Sequence, residues 1–203
     1  MTGRGLKAES RNQWSSVILS CSFLVGGLLG VLFAAELGDD TAGAMSEYLS
    51  DYLRLLERGE VPRSALRIFW SHGRWVFLCA ATGLSALGIV LLPAFLFFRG
   101  FLLSFAISCF ICLFGRAGIV PSVVFFGISA LLWAPALYLM ADAAMECSMR
   151  RVVLKRENIQ QVAVLGQRFY KSFLFSIVML IVCVCFECRI VPALLPAVAE
   201  MIH

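Results

Sequence analysis

Long uncharged runs separated by shorter polar stretches dominate the pattern of hydrophobic and polar positions along this chain. A helix needs about 20 apolar residues to cross the hydrocarbon core of a bilayer, and several runs reach that length. The pattern therefore predicts an all-α, polytopic membrane helical bundle of about five transmembrane helices, forming a single membrane domain over residues 1–203. The predicted spans, in chain order, are 15–36, 75–92, 95–114, 119–141 and 172–188.

The first predicted span carries small residues on one face. Ser22, Gly26, Gly30 and Ala34 recur every four residues, and positions four apart lie on the same side of a helix. Helices in lipid associate closely where small residues let their backbones approach. We therefore predict that this face packs against a neighbouring helix.

The long polar stretch after this span, residues 38–74, is predicted to be an extracytoplasmic amphipathic helical hairpin. Within it, one apolar stripe at helical spacing consists of Met45, Leu49, Tyr52 and Leu56. Such a hairpin either rests on the membrane surface or presents a docking surface to a partner, and the pattern does not separate the two. The candidates for partner contact are Tyr48, Tyr52, Phe69 and Trp70.

The stretch from Trp75 to Gly115 contains a single charged residue, Arg99. One helix of that length would be about twice as long as the hydrocarbon core is thick, so two spans and a turn are predicted. Pro93 and the pair Arg99–Gly100 lie near the midpoint and are the predicted turn. On this interpretation Arg99 extends its side chain to the inner headgroups; a functional charge inside the membrane is the alternative.

Basic residues set the predicted orientation. Residues 146–171 contain Arg150, Lys155 and Lys171 among their six basic side chains, and we predict a cytoplasmic basic loop there. Because cytoplasmic segments are enriched in Lys and Arg, the N-terminus is expected inside. Five spans then place the C-terminus outside the cytoplasm. The proline-rich tail at 191–196 is expected to lie irregularly at the interface.

Composition agrees with a membrane location. The chain is 61% hydrophobic and only 15% charged, with a mean hydropathy of +0.89, whereas soluble domains are about 45–50% apolar. The net charge of +4 comes from basic residues at the ends of apolar runs rather than from a stripe, which argues against nucleic acid as a partner. The lipid bilayer is the expected environment.

Candidate chemistry is sparse. The two histidines are His72, in the polar stretch, and His203, so the predicted bundle interior has few candidates for a zinc site or an acid–base pair. The grouped cysteines are Cys109 with Cys112, and Cys183 with Cys185 and Cys188. They have apolar neighbours and are expected to pack as small hydrophobes, with Cys188, near the outer surface, as the exception. Asp142, Glu146 and Arg150, spaced four apart, are expected to pair on the surface of a helix end. We therefore expect no cofactor, no metal and no enzymatic activity.

Three stretches carry a family resemblance. The first runs from Gly26-Gly27-Leu28-Leu29-Gly30 to the acidic Glu47-Tyr48-Leu49, and the second comprises Leu92-Pro93, Phe97-Phe98-Arg99-Gly100 and Ser104-Phe105. The third is Ala134-Pro135-Ala136 with the tail from Glu187 to Leu195. In this order they resemble stage II sporulation protein M and its wider membrane family over nearly the whole chain.

The resemblance implies a non-enzymatic scaffold in endospore-forming bacteria. Such a scaffold anchors two peptidoglycan-degrading partners, stage II sporulation proteins P and D, at the septal membrane during engulfment. Ser104 stands where the family often has glycine, and the fourth predicted span lacks polar residues that many wider relatives carry, which argues against transport. The alternative function is a membrane transporter or permease subunit, and a homo-oligomer is a further possibility.

Overall fold

The computed structural model describes residues 3–36, 47, 65–154 and 162–202. These residues form five long helices and, within the described part of the chain, no strand. The helices are α1 (Gly3–Ala35), α2 (Ala65–Gly83), α3 (Gly88–Phe114), α4 (Ile128–Leu154) and α5 (Val162–Ile202). Between α3 and α4 the chain passes through a 3₁₀ turn (Gly115–Gly118), one α-helical turn (Ile119–Ser122) and a π-helical turn (Val123–Gly127).

Four of the five helices are long and apolar enough to cross a membrane. Their apolar parts are Trp14–Ala35, Gly88–Cys112, Ile128–Arg150 and Gly166–Arg189. The fifth, α2, is 19 residues or about 28 Å long, but it carries Arg67, His72 and Arg74. The predicted all-α membrane bundle is therefore confirmed, with α2 as its most polar member.

Helix α4 is the centre of the bundle. Within its apolar part 61% of the residues are buried, against 17–22% in the other three apolar helices. The other four long helices all contact α4, and α1 makes its most extensive contact with α3. The core around α4 is built from large apolar side chains that include Leu19, Val76, Leu92, Leu96, Met140 and Leu180. The outer faces carry exposed apolar residues, as expected for contact with lipid.

Successive helices run antiparallel through the bundle. Near the start of the apolar part of α1, Ser15 contacts Asp142 near the end of α4, and Arg168 at the start of α5 reaches the same carboxylate. At this end too, Ser148 of α4 donates a hydrogen bond to the carbonyl of Ser85, between α2 and α3. Five antiparallel passes place the start of α1 and the end of the apolar part of α5 at opposite ends. Which end is cytoplasmic stays a prediction from the basic residues.

The turn predicted at Pro93 and Arg99–Gly100 is wrong. The chain reverses at Leu84–Leu87, and all three residues lie inside the continuous helix α3. The reason is packing against α4: a side chain on Gly83 would overlap Ala144, and one on Gly88 would crowd Ser148. The reversal is thus flanked by two glycines that leave no room for a larger residue, and Pro93 is accommodated within α3.

Four other predicted boundaries also differ from the structure. In place of the predicted span 75–92 the structure has α2, which begins at Ala65, inside the stretch assigned to the hairpin, and ends at Gly83. The basic loop predicted over 146–171 is largely helical, since α4 extends to Leu154 and α5 begins at Val162. The tail at 191–196 is part of α5; membrane helices tolerate proline where the freed carbonyl finds another partner. Regular helix in the fourth predicted span begins at Ile128 rather than at 119.

Candidate functional site

The small-residue face of α1 lies against α3. A side chain on Gly26 would overlap the carbonyl oxygen of Phe97, and one on Gly30 would overlap that of Phe101. Ala34, one turn further, is 2% exposed. The two backbones therefore approach so closely that only hydrogen fits at the glycines, which is the geometry of small-residue helix pairs in membranes.

Two further predicted residues take different roles in this contact. Gly100 lies on the α3 side of it, where a side chain would overlap the carbonyl oxygen of Phe23 on α1; its small size serves helix packing rather than a turn. Ser22 donates a hydrogen bond of 2.8 Å to the carbonyl of Ile18 in its own helix. The polar group of Ser22 is thus satisfied locally.

A buried carboxylate joins α1, α4 and α5 at one end of the bundle. Asp142, 6% exposed, accepts hydrogen bonds from the hydroxyls of Ser15 at 2.8 Å and Ser16 at 2.9 Å. Arg168 Nη2 lies 3.2 Å from its other oxygen. Glu146, one turn along α4, pairs with Arg168 and with Arg150, both at 2.6 Å. The expected pairing of Glu146 with Arg150 is confirmed, but Asp142 is an interior group.

A second polar group lies between α2, α3, α4 and α5 in the other half of the bundle. We call it the polar cluster; its members are His72, Arg99, Ser129, Cys183 and Glu187. Glu187 Oε1 is its focus, because His72 Nε2 lies 3.0 Å away, Cys183 Sγ lies 3.7 Å away and the hydroxyl of Ser129 donates to the same oxygen. Four helices thus contribute to one arrangement.

Aromatic rings hold the positive charge of this cluster. The guanidinium carbon of Arg99 lies 3.9 Å from the ring centroid of Trp133 and 5.3 Å from that of Trp75, within the range of cation–π attraction. Arg99 Nη2 is 3.4 Å from His72 Nδ1. Since the guanidinium is always a donor, this contact assigns Nδ1 as acceptor, and His72 Nε2–H then donates to Glu187. The imidazole of His72 thus lies between the guanidinium of Arg99 and the carboxylate of Glu187.

The sequence interpretation missed this cluster. The expectation that the bundle interior lacks histidine and acidic groups is wrong, as is the assignment of Arg99 to a headgroup-facing turn. Arg99 is held inside because its partners, His72 and two tryptophans, are inside. One signal was available: Glu187 lies within the apolar helix Gly166–Arg189, and an ionisable residue in such a helix generally faces the bundle interior and pairs with another.

The partner-contact candidates divide into three groups. Tyr48 and Tyr52 lie outside the described residues. Phe69 is partly buried against the core around α4. Trp70 is 63% exposed and Leu66, one turn before it, is 75% exposed. Among the residues that the structure describes, Trp70 is therefore the candidate on an open surface.

The eight cysteines are free thiols. Cys79, Cys109, Cys147 and Cys183 are buried, whereas Cys21, Cys112 and Cys185 are exposed on the outer faces of their helices. Cys183 lies in the polar cluster with His72 and Glu187, and the candidate ligand atoms of these three residues lie within 4.8 Å of one another. Cys183 therefore departs from the expected role of a small hydrophobe.

Comparison with known proteins gives one match. The family model described as stage II sporulation protein M matches residues 19–192, a range that includes the small-residue contact and every member of the polar cluster. No curated protein matches the chain, and no solved structure does so. Since the match covers most of a chain with four membrane-crossing helices, this multi-pass membrane protein belongs to the sporulation-related stage II sporulation protein M family.

Proposed function

We propose that this protein is a non-enzymatic membrane scaffold that anchors peptidoglycan-degrading partners at the septal membrane during endospore formation. Its expected partners are membrane or membrane-anchored proteins, namely stage II sporulation proteins P and D. The family supports a sporulation role, and the outer face of α2 supports a role in binding. That face is the observation on which the proposal rests.

Helix α2 turns a polar side chain toward the bundle and apolar side chains away from it. Its histidine points into the bundle, while Leu66, Trp70 and Phe77 are 75%, 63% and 40% exposed. Positions four and eleven apart share one helix face, so these three side chains form an apolar strip on one side of α2, which the exposed Arg74 interrupts between Trp70 and Phe77. Tryptophan is enriched among the residues that dominate protein–protein binding energy, and a strip of this kind suits the transmembrane helix of a partner.

The direct test is a crosslinking pull-down of the tagged full-length protein from native membranes of sporulating cells. Mass spectrometry should identify peptidoglycan hydrolases among the crosslinked partners. Recovery of an ATPase subunit in place of the hydrolases would contradict the scaffold and support a transport complex.

Trp70→Ala should lower the yield of crosslinked hydrolase about tenfold. An aromatic anchor of this kind contributes about 1.4–2 kcal/mol to binding, and 1.4 kcal/mol corresponds to a factor of ten. Trp14→Ala is the matched control, since Trp14 on α1 is also 63% exposed but lies on another face of the bundle. An equal loss of crosslinking in both variants would contradict a binding role for α2.

A transporter or permease subunit is the second candidate, and the polar cluster is the observation that favours it. Transporters place charged side chains inside the bundle, where they pair and mark substrate or ion pathways, and Arg99 with Glu187 fits that description. The test is flux through liposomes that contain the purified chain alone. Solute or proton flux that is lost in Arg99→Leu would establish transport. Liposomes that show no flux above that of protein-free vesicles would exclude the transporter candidate.

A further inference from the structure

Nitrogen, sulfur and oxygen donors converge in the polar cluster. His72 Nε2 and Cys183 Sγ lie 3.0 Å and 3.7 Å from Glu187 Oε1, and the three candidate ligand atoms lie within 4.8 Å of one another. In a tetrahedral zinc site, with bonds of about 2.0–2.3 Å, neighbouring ligand atoms are about 3.3–3.8 Å apart. The two spacings to Glu187 are within a few tenths of an ångström of that geometry, and side-chain movements of up to about 1 Å would bring the third spacing, which is at most 4.8 Å, to the same range.

We propose that His72, Cys183 and Glu187 form a binding site for a divalent transition metal of the zinc class. The donor set decides the class, because thiolate and imidazole select zinc and its neighbours, whereas magnesium and calcium require oxygen ligands. The hydroxyl of Ser129 is a neighbouring oxygen, 3.8 Å from Cys183 Sγ. The site does not depend on the scaffold function, and it would fasten α2 to α5.

Two features of the protein make binding feasible. Cys183 and Glu187 are four residues apart on α5 and so share one face, which positions both ligands before the metal arrives. The side chains of His72 and Glu187 are 15% and 19% exposed, whereas Cys183 is fully buried, so a metal ion would reach the thiol past the histidine and the carboxylate. On binding, the Cys183 thiol releases its proton to bulk water past the partly exposed His72 and Glu187, and the ring proton of His72 moves from Nε2 to Nδ1 so that Nε2 can bind the metal. The thiolate and the carboxylate together neutralise the divalent charge.

Arg99 is expected to weaken the site rather than to build it. A metal-bound histidine normally donates its second ring N–H to an acceptor, and this partner alters metal affinity by about 10–100-fold. Here the group near His72 Nδ1 is the guanidinium of Arg99, at 3.4 Å, which is a donor and a cation. The cation–π contact with Trp133 holds the guanidinium of Arg99 beside His72. We therefore expect the site to bind its metal ion weakly enough for the ion to exchange with the solution.

Cobalt(II) titration of the purified full-length protein in detergent tests the proposal. We expect one cobalt ion per chain, a near-ultraviolet sulfur-to-cobalt absorption band, and displacement by zinc. Cys183→Ser should remove the band, whereas Cys185→Ser, an exposed thiol two residues along the same helix, should retain it. Arg99→Gln should tighten binding about tenfold, because the amide oxygen accepts the histidine proton and the cation is removed.

The proposal is overturned if the wild-type protein develops no sulfur-to-cobalt band, or if the band survives in Cys183→Ser. A band that is weaker in Arg99→Gln, in a variant that elutes as the wild type does on size exclusion, would also overturn it, since Arg99 would then support the cluster as an ion pair. These results are independent of partner capture.

Discussion

Replacing Gly26 and Gly30 together by leucine is expected to separate α1 from α3 while both helices stay in the membrane. Each new side chain would meet a backbone carbonyl of α3, at Phe97 or Phe101, and a helix backbone cannot rotate away as the end of a flexible side chain can. Overpacking typically costs about 1–3 kcal/mol per site. The double variant should therefore lose about 3 kcal/mol or more of the helix contact.

A disulfide between α1 and α3 measures this contact directly. The ideal Cβ position of Gly27 is 4.0 Å from Cβ of Ser104, within the range of about 3.5–4.5 Å found in disulfides. The pair Gly27→Cys and Ser104→Cys should therefore oxidise readily in the parent protein and at least about tenfold less in the leucine variant.

Gly166→Leu is the control for added bulk, because nothing lies within 4 Å of a side chain at that position. In the Gly166→Leu variant the cysteines at positions 27 and 104 should form their disulfide as readily as in the parent protein. Unchanged crosslinking in the double leucine variant would show that α1 and α3 do not depend on these glycines.

Asp142→Ala should lower the free energy of unfolding by about 3 kcal/mol. The substitution leaves the hydroxyls of Ser15 and Ser16 without their carboxylate acceptor, and Arg168 loses one of its two anions. Removing one partner of a buried charged pair costs about 3–5 kcal/mol. We take the lower value because the Arg168 side chain is 46% exposed. The change is measured by thermal unfolding in detergent, with the loss of the monodisperse size-exclusion peak as the readout.

Glu146→Ala is the matched comparison on the same helix. Its partners Arg150 and Arg168 are 28% and 46% exposed, and exposed ion pairs contribute about 0–1 kcal/mol. The loss should therefore stay below about 1 kcal/mol. Equal destabilisation by the two substitutions would contradict the interpretation of Asp142 as an interior anchor for α1 and α5.

Features that depend on neighbouring residues in the chain could be predicted from the sequence. Charge-free runs of helical length define the apolar helices, because the bilayer selects them by length and polarity. The every-fourth-residue spacing of Gly26, Gly30 and Ala34 identified a helix face, and the partner of that face followed from the structure. Glu146 and Arg150 also form a pair within a single helix.

Features that depend on distant residues could not be predicted in the same way. The glycines on either side of the reversal between α2 and α3 pack against Ala144 and Ser148, which are far along the chain on α4. Pro93 and Gly100 were natural candidates for a turn only while their packing partners were unknown. In the polar cluster, His72 and Glu187 are 115 residues apart, and neither has a local pattern that indicates the other.

That separation bears on how the chain is inserted during synthesis. Arg67, His72 and Arg74 lie in α2, and an arginine at the centre of a lone inserted helix costs about 2.5–3.5 kcal/mol. Only four residues, Leu84–Leu87, join α2 to the apolar α3, so the two can enter the lipid as one hairpin. At about 5–20 residues per second, the ribosome reaches Glu187 roughly 6–23 seconds after His72. Throughout that interval His72 is without the carboxylate that it contacts in the complete bundle, and an insertase or a membrane chaperone is the kind of protein expected to shield it.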